Sequence, residues 1–384
     1  MFKNSKERDL DVFLINPEDI FKARSRIFSG DAGLEEVDSF LLESANAAMI
    51  SGPFSIRDKV ASSPSSDRND YVSLDPFWWP DADKGDGLPY VYGGKEQNPE
   101  CEQYDRPQLA AFSSAIDALC MGYFFTDYED FAIRAALLLR VWFFDSETRM
   151  NPNMTYAGFI PGRNQGDPAG IMESRGLSWI PDHVGLLANS KHWTSEDREL
   201  LREWFKSFVE WLSKSPNGLN QRLEKNQNGT WYDVQLATMS LFIGDLVLAR
   251  DAINRCFERA KEQIDAFGAH HIELKNCDGI FTASNNLLGL FDMADLGRNL
   301  NLDLWSGEPG RLLRSALDWL IGNDAHNLEE AKNFPNVFDR NEWVSILRRA
   351  ALRWSESSYE AVLREIRGIN VRAHRSQLLF PSFR

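Results

Sequence analysis

A stretch of nine residues, Lys225-Asn-Gln-Asn-Gly-Thr-Trp-Tyr-Asp233, concentrates amides, an indole, a phenol and a carboxylate between two amphipathic segments. A phenol can exchange a proton when its pKa is tuned, and amides can hydrogen-bond a substrate without adding charge. The same residue types also open helices, because Asn228 and Thr230 are favoured N-cap residues and Asp233 suits a first turn. The stretch is therefore predicted to be either the floor of a site or a helix N-terminus alone.

A second concentration of candidate residues lies in the irregular segment 51–105, around Tyr71-Val-Ser-Leu-Asp-Pro-Phe-Trp-Trp-Pro80. Long loops in compact domains are usually functional or disordered, and the density of aromatic side chains argues against disorder. Trp and Tyr offer apolar faces with a polar tip, which suits both packing and ligand contact. The segment is predicted to be either a structural strap or the wall of a site.

Composition excludes several classes of function. The net charge of −15 comes without any basic tract, which argues against nucleic acid as a partner. We expect no membrane span, because we find no apolar run of about 18 residues. The four cysteines form no CxxC pair and no Cys/His cluster, so we predict no metal site and free thiols, with one distant disulfide left open.

Motifs and terminal signals are equally sparse. We find no GxGxxG, P-loop, GxSxG or HExxH pattern, and therefore predict no cofactor. The N-terminal residues carry no apolar signal region, so we expect a cytoplasmic protein, or a secreted one if a signal has been trimmed.

The periodicity of apolar residues predicts that these candidates are held by helices. After the segment 51–105 the pattern is helix after helix, in lengths and with short connections that are typical of antiparallel hairpins. We predict one all-α domain over residues 1–384. Its helices are expected within 11–29, and near 34–49, 107–125, 127–144, 171–189, 196–214, 232–245, 247–265, 285–298, 310–322, 341–354 and 357–368.

A series of stretches follows the order of one known family. They are Gly52-Pro-Phe-Ser-Ile-Arg-Asp-Lys59, Asn69-Asp-Tyr-Val-Ser-Leu-Asp-Pro-Phe-Trp-Trp-Pro-Asp81, Gly87-Leu-Pro-Tyr90, Asn98-Pro-Glu100, Trp142-Phe-Phe-Asp-Ser-Glu-Thr-Arg-Met-Asn-Pro-Asn153, Asn226–Asp233, Gln263–Leu274 and Asp303-Leu-Trp305. Together they resemble the alginate lyase-type polysaccharide lyases, over about residues 12–320. The resemblance implies an incomplete (α/α) toroid of helical hairpins with a long aromatic N-terminal loop, the helices 341–368 following it. It also implies β-elimination on uronate polymers, and a saccharide or small-molecule ligand in an aromatic cleft.

The sequence departs from the family pattern where that chemistry is expected. The family's usual His position holds Asn228, and its usual Arg position holds Asn276, or Lys275 if the alignment slips by one residue. Amides can hydrogen-bond a carboxylate but cannot supply its counter-charge. Other usual Tyr, Gln and His positions are occupied by Phe281-Thr282, Gly158 and Asn69.

These departures leave three hypotheses open. The first is a divergent lyase in which Tyr232, Tyr71 or Tyr156 exchanges protons and Lys275, Arg163 or His271 meets the carboxylate. The second is an enzyme repurposed for a smaller, less charged metabolite, with Asp75 and Glu173 as acid/base carboxylates. The third is a non-catalytic carbohydrate-binding protein in which aromatic residues stack on sugar rings.

Each candidate residue also has a structural alternative, namely packing for the aromatic residues and a solvent-exposed turn for His270-His271. The predicted catalytic residues are Tyr232, Asn228, Asn226, Lys275 and His271. The predicted substrate-binding residues are Trp231, Tyr71, Trp78, Trp79, Tyr156, Arg163, Asn276 and Glu173.

Overall fold

A computed structural model describes residues 10–94, 96–275, 279–323, 340–366 and 368–381. The predicted site residue Asn276 lies outside the described residues. The helices are α1 Pro17–Phe28, α2 Glu35–Met49, α3 Arg106–Thr126, α4 Glu129–Phe143, α5 Ile180–Leu186, α6 Ser195–Lys214, α7 Pro216–Leu223, α8 Gln227–Ile243, α9 Leu246–Gln263, α10 Gly279–Gly297, α11 Gly307–Gly322, α12 Arg340–Trp354, α13 Ser357–Glu365 and α14 Ser376–Leu379. The short strands are β1 Val72–Leu74, β2 Trp78–Trp79, β3 Val91–Tyr92 and β4 Tyr156–Phe159.

The chain divides into two compact units. The first unit comprises residues 1–44, 225–241 and 245–384, and the second comprises residues 45–224 and 242–244. The prediction of one domain over residues 1–384 stays a prediction. Helices dominate both units, so the predicted all-α class is confirmed.

In the first unit, which carries most of α8 and all of α9 to α14, buried ion pairs join α8 to α9 and α10 to α12. Arg349 of α12 donates to Asp292 of α10 over 2.7 Å, and both side chains are almost fully buried. Removing one partner of such a pair is costly because it leaves an uncompensated buried charge. These contacts fix α10, which carries polar residues that contact the start of α8.

The second unit packs α3, α4 and α6 around aromatic side chains. The Phe112 and Trp142 rings stack with centroids 4.6 Å apart, and Trp204 meets Phe143 edge to face at 4.7 Å.

Helix α6 begins with a capping box between Thr194 and Asp197, as a Thr-x-x-Asp spacing before an amphipathic run predicts.

Two small sheets organise the aromatic loop of the second unit. Strand β1 pairs with β4 in parallel, with Val72 opposite Tyr156, and β2 pairs with β3 antiparallel, with Trp78 opposite Tyr92. These strands are short, and period-two alternation over two to four residues gives no sequence signal, so they were not predicted.

Predicted and observed helices agree best where apolar spacing is regular and differ where polar residues begin a helix. Helix α8 begins at Gln227 rather than near 232, and α10 begins at Gly279 rather than near 285. The helix predicted over 171–189 is wrong in its first half, which is a 3₁₀ helix, Pro168–Trp179, followed by α5. Helix α7 was not predicted, because Pro and Gly in its sequence favour a turn.

Among the described residues, α3 is long and apolar enough to cross a membrane by length and composition, which corrects the expectation that no stretch has this character. Most of this helix is buried within the protein, as in the core helix of a globular domain.

Candidate functional site

The stretch that precedes and opens α8 is a capped helix N-terminus. The Asn226 side chain accepts a hydrogen bond from the backbone N–H of Asn228 at 2.9 Å, and its carbonyl accepts from Gly229 at 3.1 Å. Asn226 is therefore the N-cap, rather than Asn228 or Thr230, since the N-cap side chain binds the second or third amide of a helix. Asn228 stands in the first turn with a half-buried side chain.

The aromatic residues of this stretch are buried in the first unit. Trp231 donates its indole N–H to the carbonyl and the side-chain oxygen of Asn285, both at 3.1 Å. Tyr232 is fully buried, and the Arg255 guanidinium lies 5.8 Å from its ring centroid. Their burial gives both residues a packing role, and their predicted roles in stacking and proton exchange stay predictions.

Asp233 is a buried anion held by two cations. Arg255 donates to one carboxylate oxygen of Asp233, with its Nε at 2.9 Å, and Arg259 donates to the other oxygen. Arg259 also donates to the carbonyl of Gly229 at 3.0 Å. This triad connects the first turns of α8 to α9 and is a structural arrangement, because both sides of the Asp233 carboxylate are occupied.

The turn at residues 270–275 presents two ionisable side chains to solvent. The backbone N–H of Leu274 donates to the His270 carbonyl at 3.0 Å, which is helical spacing. His271 and Lys275 are both exposed, whereas Glu273 between them is buried. The expected exposed turn is thus found for His271, while His270 is fully buried.

Glu273 ties this turn to the start of α8. Its carboxylate accepts the backbone N–H of Gln227 at 2.5 Å, and the Gln227 side chain accepts from Asn285 at 2.8 Å. An acid at a helix N-terminus satisfies an amide that has no partner within the helix and stabilises the dipole. The turn that carries His271 and Lys275 is therefore anchored to the segment that carries Asn228.

A series of buried side-chain hydrogen bonds also holds the turn at residues 270–275. Asn286 of α10 donates to His270 Nδ1 and to Gln263, each at 3.1 Å, and Gln263 donates to the Lys225 carbonyl at 3.0 Å. Burial lowers the pKa of His270 to about 3, so this imidazole is neutral at physiological pH. Sequence reasoning gave Gln227 of the opening stretch no role of its own, and it missed Asn285 and Asn286, whose only signal was two adjacent amides within the apolar run of α10.

The second unit holds a separate cluster of ionisable groups at β1. The Tyr71 hydroxyl donates to Glu173 at 2.5 Å, and the Arg106 guanidinium binds Glu173 and the Leu74 carbonyl. Tyr71 is fully buried, and burial together with the nearby Glu173 charge holds its pKa well above the usual range. Burial alone would lower the pKa of Arg106, but the Glu173 carboxylate outweighs this effect and raises it. Within this cluster Glu173, whose side chain is 13% exposed, is the carboxylate that solvent reaches.

Asp75 and Tyr156 lie near the same strands. Burial raises the pKa of Asp75, whose side chain accepts the backbone N–H of Phe77 at 3.0 Å. Tyr156 is half-buried in β4 and packs against a buried cluster that includes Val72. Its predicted role as a substrate contact stays a prediction.

The remaining predicted residues of the second unit lie on and beside the β2–β3 hairpin. The Arg163 guanidinium lies 4.6 Å from the Trp78 ring centroid, and its Nε donates to the Tyr90 carbonyl. Trp79 donates its indole N–H to the Glu96 carbonyl at 3.3 Å. Arg163 thus contacts Trp78 within the second unit.

Among the described residues, no group of three or more His, Cys, Asp or Glu side chains could hold a metal ion. Cys101, Cys120 and Cys256 are free and buried, as predicted for reduced thiols, and Cys277 lies outside the described residues.

Comparisons with known proteins place this geometry in context. The family model for alginate lyase matches residues 55–330. A crystal structure of an alginate lyase from Bacteroides ovatus has 30% sequence identity and a TM-score of 0.87, and the match covers 98% of this chain and 100% of that one. No curated protein matches this chain.

Two further structures share the fold at low identity. A variant of alginate lyase A1-III complexed with a tetrasaccharide has 14% identity and a TM-score of 0.64, covering 99% of this chain and 98% of that one. Alginate lyase A1-III from Sphingomonas species A1 has 14% identity and a TM-score of 0.61, covering 97% of each chain. The predicted helical toroid class is thereby confirmed.

Proposed function

Since the chain belongs to the alginate lyase family, we propose that it is a carbon–oxygen lyase that cleaves a uronate-containing poly- or oligosaccharide by β-elimination. The observation that carries this proposal is the turn at residues 270–275. It carries a base and a cation, the exposed side chains of His271 and Lys275, and is anchored to the start of α8 through Glu273. The tetrasaccharide complex of the related alginate lyase supports a saccharide as the ligand class.

The chemistry requires the removal of a proton next to a carboxylate, and this is costly unless the carboxylate is neutralised. In the proposed reaction the Lys275 ammonium pairs with the uronate carboxylate, and His271 accepts the proton from C5. The C5–H electrons form the C4–C5 double bond, the C4–O bond breaks, and the protonated His271 donates its proton to the leaving oxygen. The amide of Asn228 hydrogen-bonds the substrate, as its half-buried position at the helix start allows.

The surroundings of the candidate tyrosines favour His271 as the base. Tyr232 is fully buried, and the Tyr71 hydroxyl proton is directed at Glu173. A base has to come within hydrogen-bond reach of the proton it removes, which an exposed side chain can do without rearrangement.

The test is an absorbance assay for the unsaturated product on a panel of uronate polymers that includes glucuronan and alginate. We expect absorbance to rise with at least one polymer, and His271→Ala to lower kcat by about 10²–10⁴-fold. Lys275→Ala is expected to raise KM as well as lower kcat, and Lys275→Arg to retain part of the activity. The matched controls His192→Ala and Lys206→Ala should behave like the wild type.

Two results would overturn the proposal. The first is the absence of any product across the panel. The second is product formation that neither His271→Ala nor Lys275→Ala changes, which would place the chemistry elsewhere.

A second candidate is a carbohydrate-binding protein without catalysis. It is favoured by the structural partners of the family residues that are retained, since Trp231 is bound by Asn285 and Asp233 is bound by Arg255 and Arg259. Such residues would persist for folding even after catalysis was lost. Saccharide binding without product formation, unchanged in His271→Ala, would support this candidate over the first.

A third candidate, an enzyme acting on a small and less charged metabolite, is favoured by the cluster of Tyr71, Arg106 and Glu173. This cluster offers a partly accessible carboxylate whose charge is already compensated by Arg106. A thermal-shift screen separates the candidates, because stabilisation by a neutral metabolite supports this one and stabilisation only by uronates supports the lyase.

A further inference from the structure

One face of the β2–β3 hairpin presents two aromatic rings and a guanidinium. Trp78 stands opposite Tyr92 in the antiparallel register, so both side chains project from the same face, with ring centroids 6.0 Å apart and an angle of 69° between the rings. Tyr92 is 65% exposed, and the Arg163 guanidinium lies 4.6 Å from the Trp78 centroid. Core packing does not account for an aromatic side chain this exposed.

The opposite face of the hairpin is fixed by close packing. Trp79 projects from that face and lies so close to Gly93 that a Cβ there would sit 2.1 Å from the Trp79 Cδ1 atom. Its indole N–H is bound by the Glu96 carbonyl, and Asn98 donates to the Trp78 carbonyl at 2.9 Å. Trp79 is therefore the structural residue of the pair, and Trp78 is held on a rigid backbone.

Arg163 is anchored through its Nε atom, which leaves its two Nη atoms available. Its Nε donates to the Tyr90 carbonyl at 2.5 Å, and the Tyr90 N–H in turn donates to the Pro161 carbonyl at 3.0 Å. In the part of the chain that the structure describes, no hydrogen bond to either Nη atom of Arg163 is found. A guanidinium with both Nη groups available can bind the two oxygens of a carboxylate.

We propose that Trp78, Tyr92 and Arg163 form a binding subsite for one acidic unit of a saccharide. The aromatic faces contact the apolar C–H surface of the sugar ring, and the Arg163 Nη atoms bind its carboxylate. The choice of a uronate as the acidic unit rests on the proposed function. The subsite itself rests on the hairpin geometry, and its role is binding, with no part in bond cleavage.

Calorimetric titrations with glucuronic acid oligosaccharides and with neutral glucose oligosaccharides of equal length test this proposal. We expect Trp78→Ala and Tyr92→Ala to weaken the binding of both ligands by about tenfold, since each removes a stacking surface. Arg163→Gln should lower the affinity for the acidic oligosaccharide by about tenfold and leave the affinity for the neutral oligosaccharide unchanged. The controls are Arg202→Gln, which removes another guanidinium that lies over an aromatic ring, and Tyr128→Ala, which removes another exposed tyrosine.

Thermal unfolding of each variant shows whether it has folded, and product absorbance in the same samples separates binding from turnover. If no product forms but the three variants lose affinity as described, the subsite stands and the proposed function fails. If product forms and all three variants bind both ligands like the wild type, the subsite is overturned and the proposed function stands. A wild-type protein that binds neither kind of oligosaccharide also overturns the subsite.

Discussion

The burial of His270 predicts how the free energy of unfolding depends on pH. Its imidazole is fully buried, Nδ1 accepts from Asn286, and burial lowers its pKa from 6.5 to about 3. Between these two values the unfolded chain binds a proton that the folded protein does not bind. The free energy of unfolding therefore falls as the pH falls through this window, and it is unaffected by this group above the window.

The size of this loss in unfolding free energy follows from the difference between the unfolded and the folded pKa. Each pH unit below the unfolded pKa costs about 1.4 kcal/mol for one such group, so the loss is about 2 kcal/mol at about pH 5. It reaches about 5 kcal/mol where the pH meets the folded pKa. His270→Gln keeps an acceptor for Asn286 but removes the titration, and this variant should lose about 2 kcal/mol less than the wild type on acidification to about pH 5.

Urea unfolding followed by circular dichroism at about pH 7.5 and about pH 5 measures this difference. The comparison is a double difference, so the general cost of the substitution cancels. His374, whose pKa is also lowered to about 3 by burial, contributes equally to both proteins and cancels as well. If acidification lowers the free energy of unfolding of the wild type and of His270→Gln by the same amount, within about 0.5 kcal/mol, the reasoning is refuted.

Three further predictions concern the buried charges, the hairpin and the thiols. Asp233→Asn removes the counter-charge of a buried arginine and should lower the free energy of urea unfolding by about 3–5 kcal/mol, and a loss below about 1 kcal/mol would contradict the structural role. Gly93→Ala, which forces a Cβ against the Trp79 ring, should cost about 1–3 kcal/mol and change the near-ultraviolet dichroism, whereas Gly85→Ala, where a Cβ meets no atom within 4 Å, should be neutral. Cys120, whose thiol pKa burial holds well above its usual range, should react with a thiol reagent only after the protein unfolds, so that rapid labelling of the native protein would contradict its burial.

Much of the helical architecture can be predicted from the sequence, because apolar residues at helical spacing have one stable arrangement in a core. Helices α3, α4 and α6 begin and end within two residues of their predicted bounds. The start of α8 could not be located in this way, since Gln227 and Asn228 are polar and only the cap at Asn226 defines the helix end.

The candidate site was less accessible to sequence reasoning for a different reason. The spacing of His271 and Lys275 is visible in the sequence, but their position depends on contacts between residues far apart in the chain. Glu273 binds Gln227 across 46 residues, and Asn285 binds Gln227 across 58. A one-dimensional pattern contains no sign of such pairs.

The separation of scaffold from chemistry gives the departures from the family pattern a physical meaning. Trp231 and Asp233 fill buried positions whose partners would be left with unsatisfied hydrogen bonds or uncompensated charge, so their loss would cost stability whatever the protein binds. Asn228, by contrast, is half-buried at the first turn of α8. A cation for a substrate carboxylate can come from any element held firmly beside that turn, and Lys275, anchored through Glu273, meets this requirement in the first unit. In the lyase proposal the charge that meets the carboxylate is that of Lys275, at or next to the family's usual Arg position, while the buried scaffold residues Trp231 and Asp233 are retained.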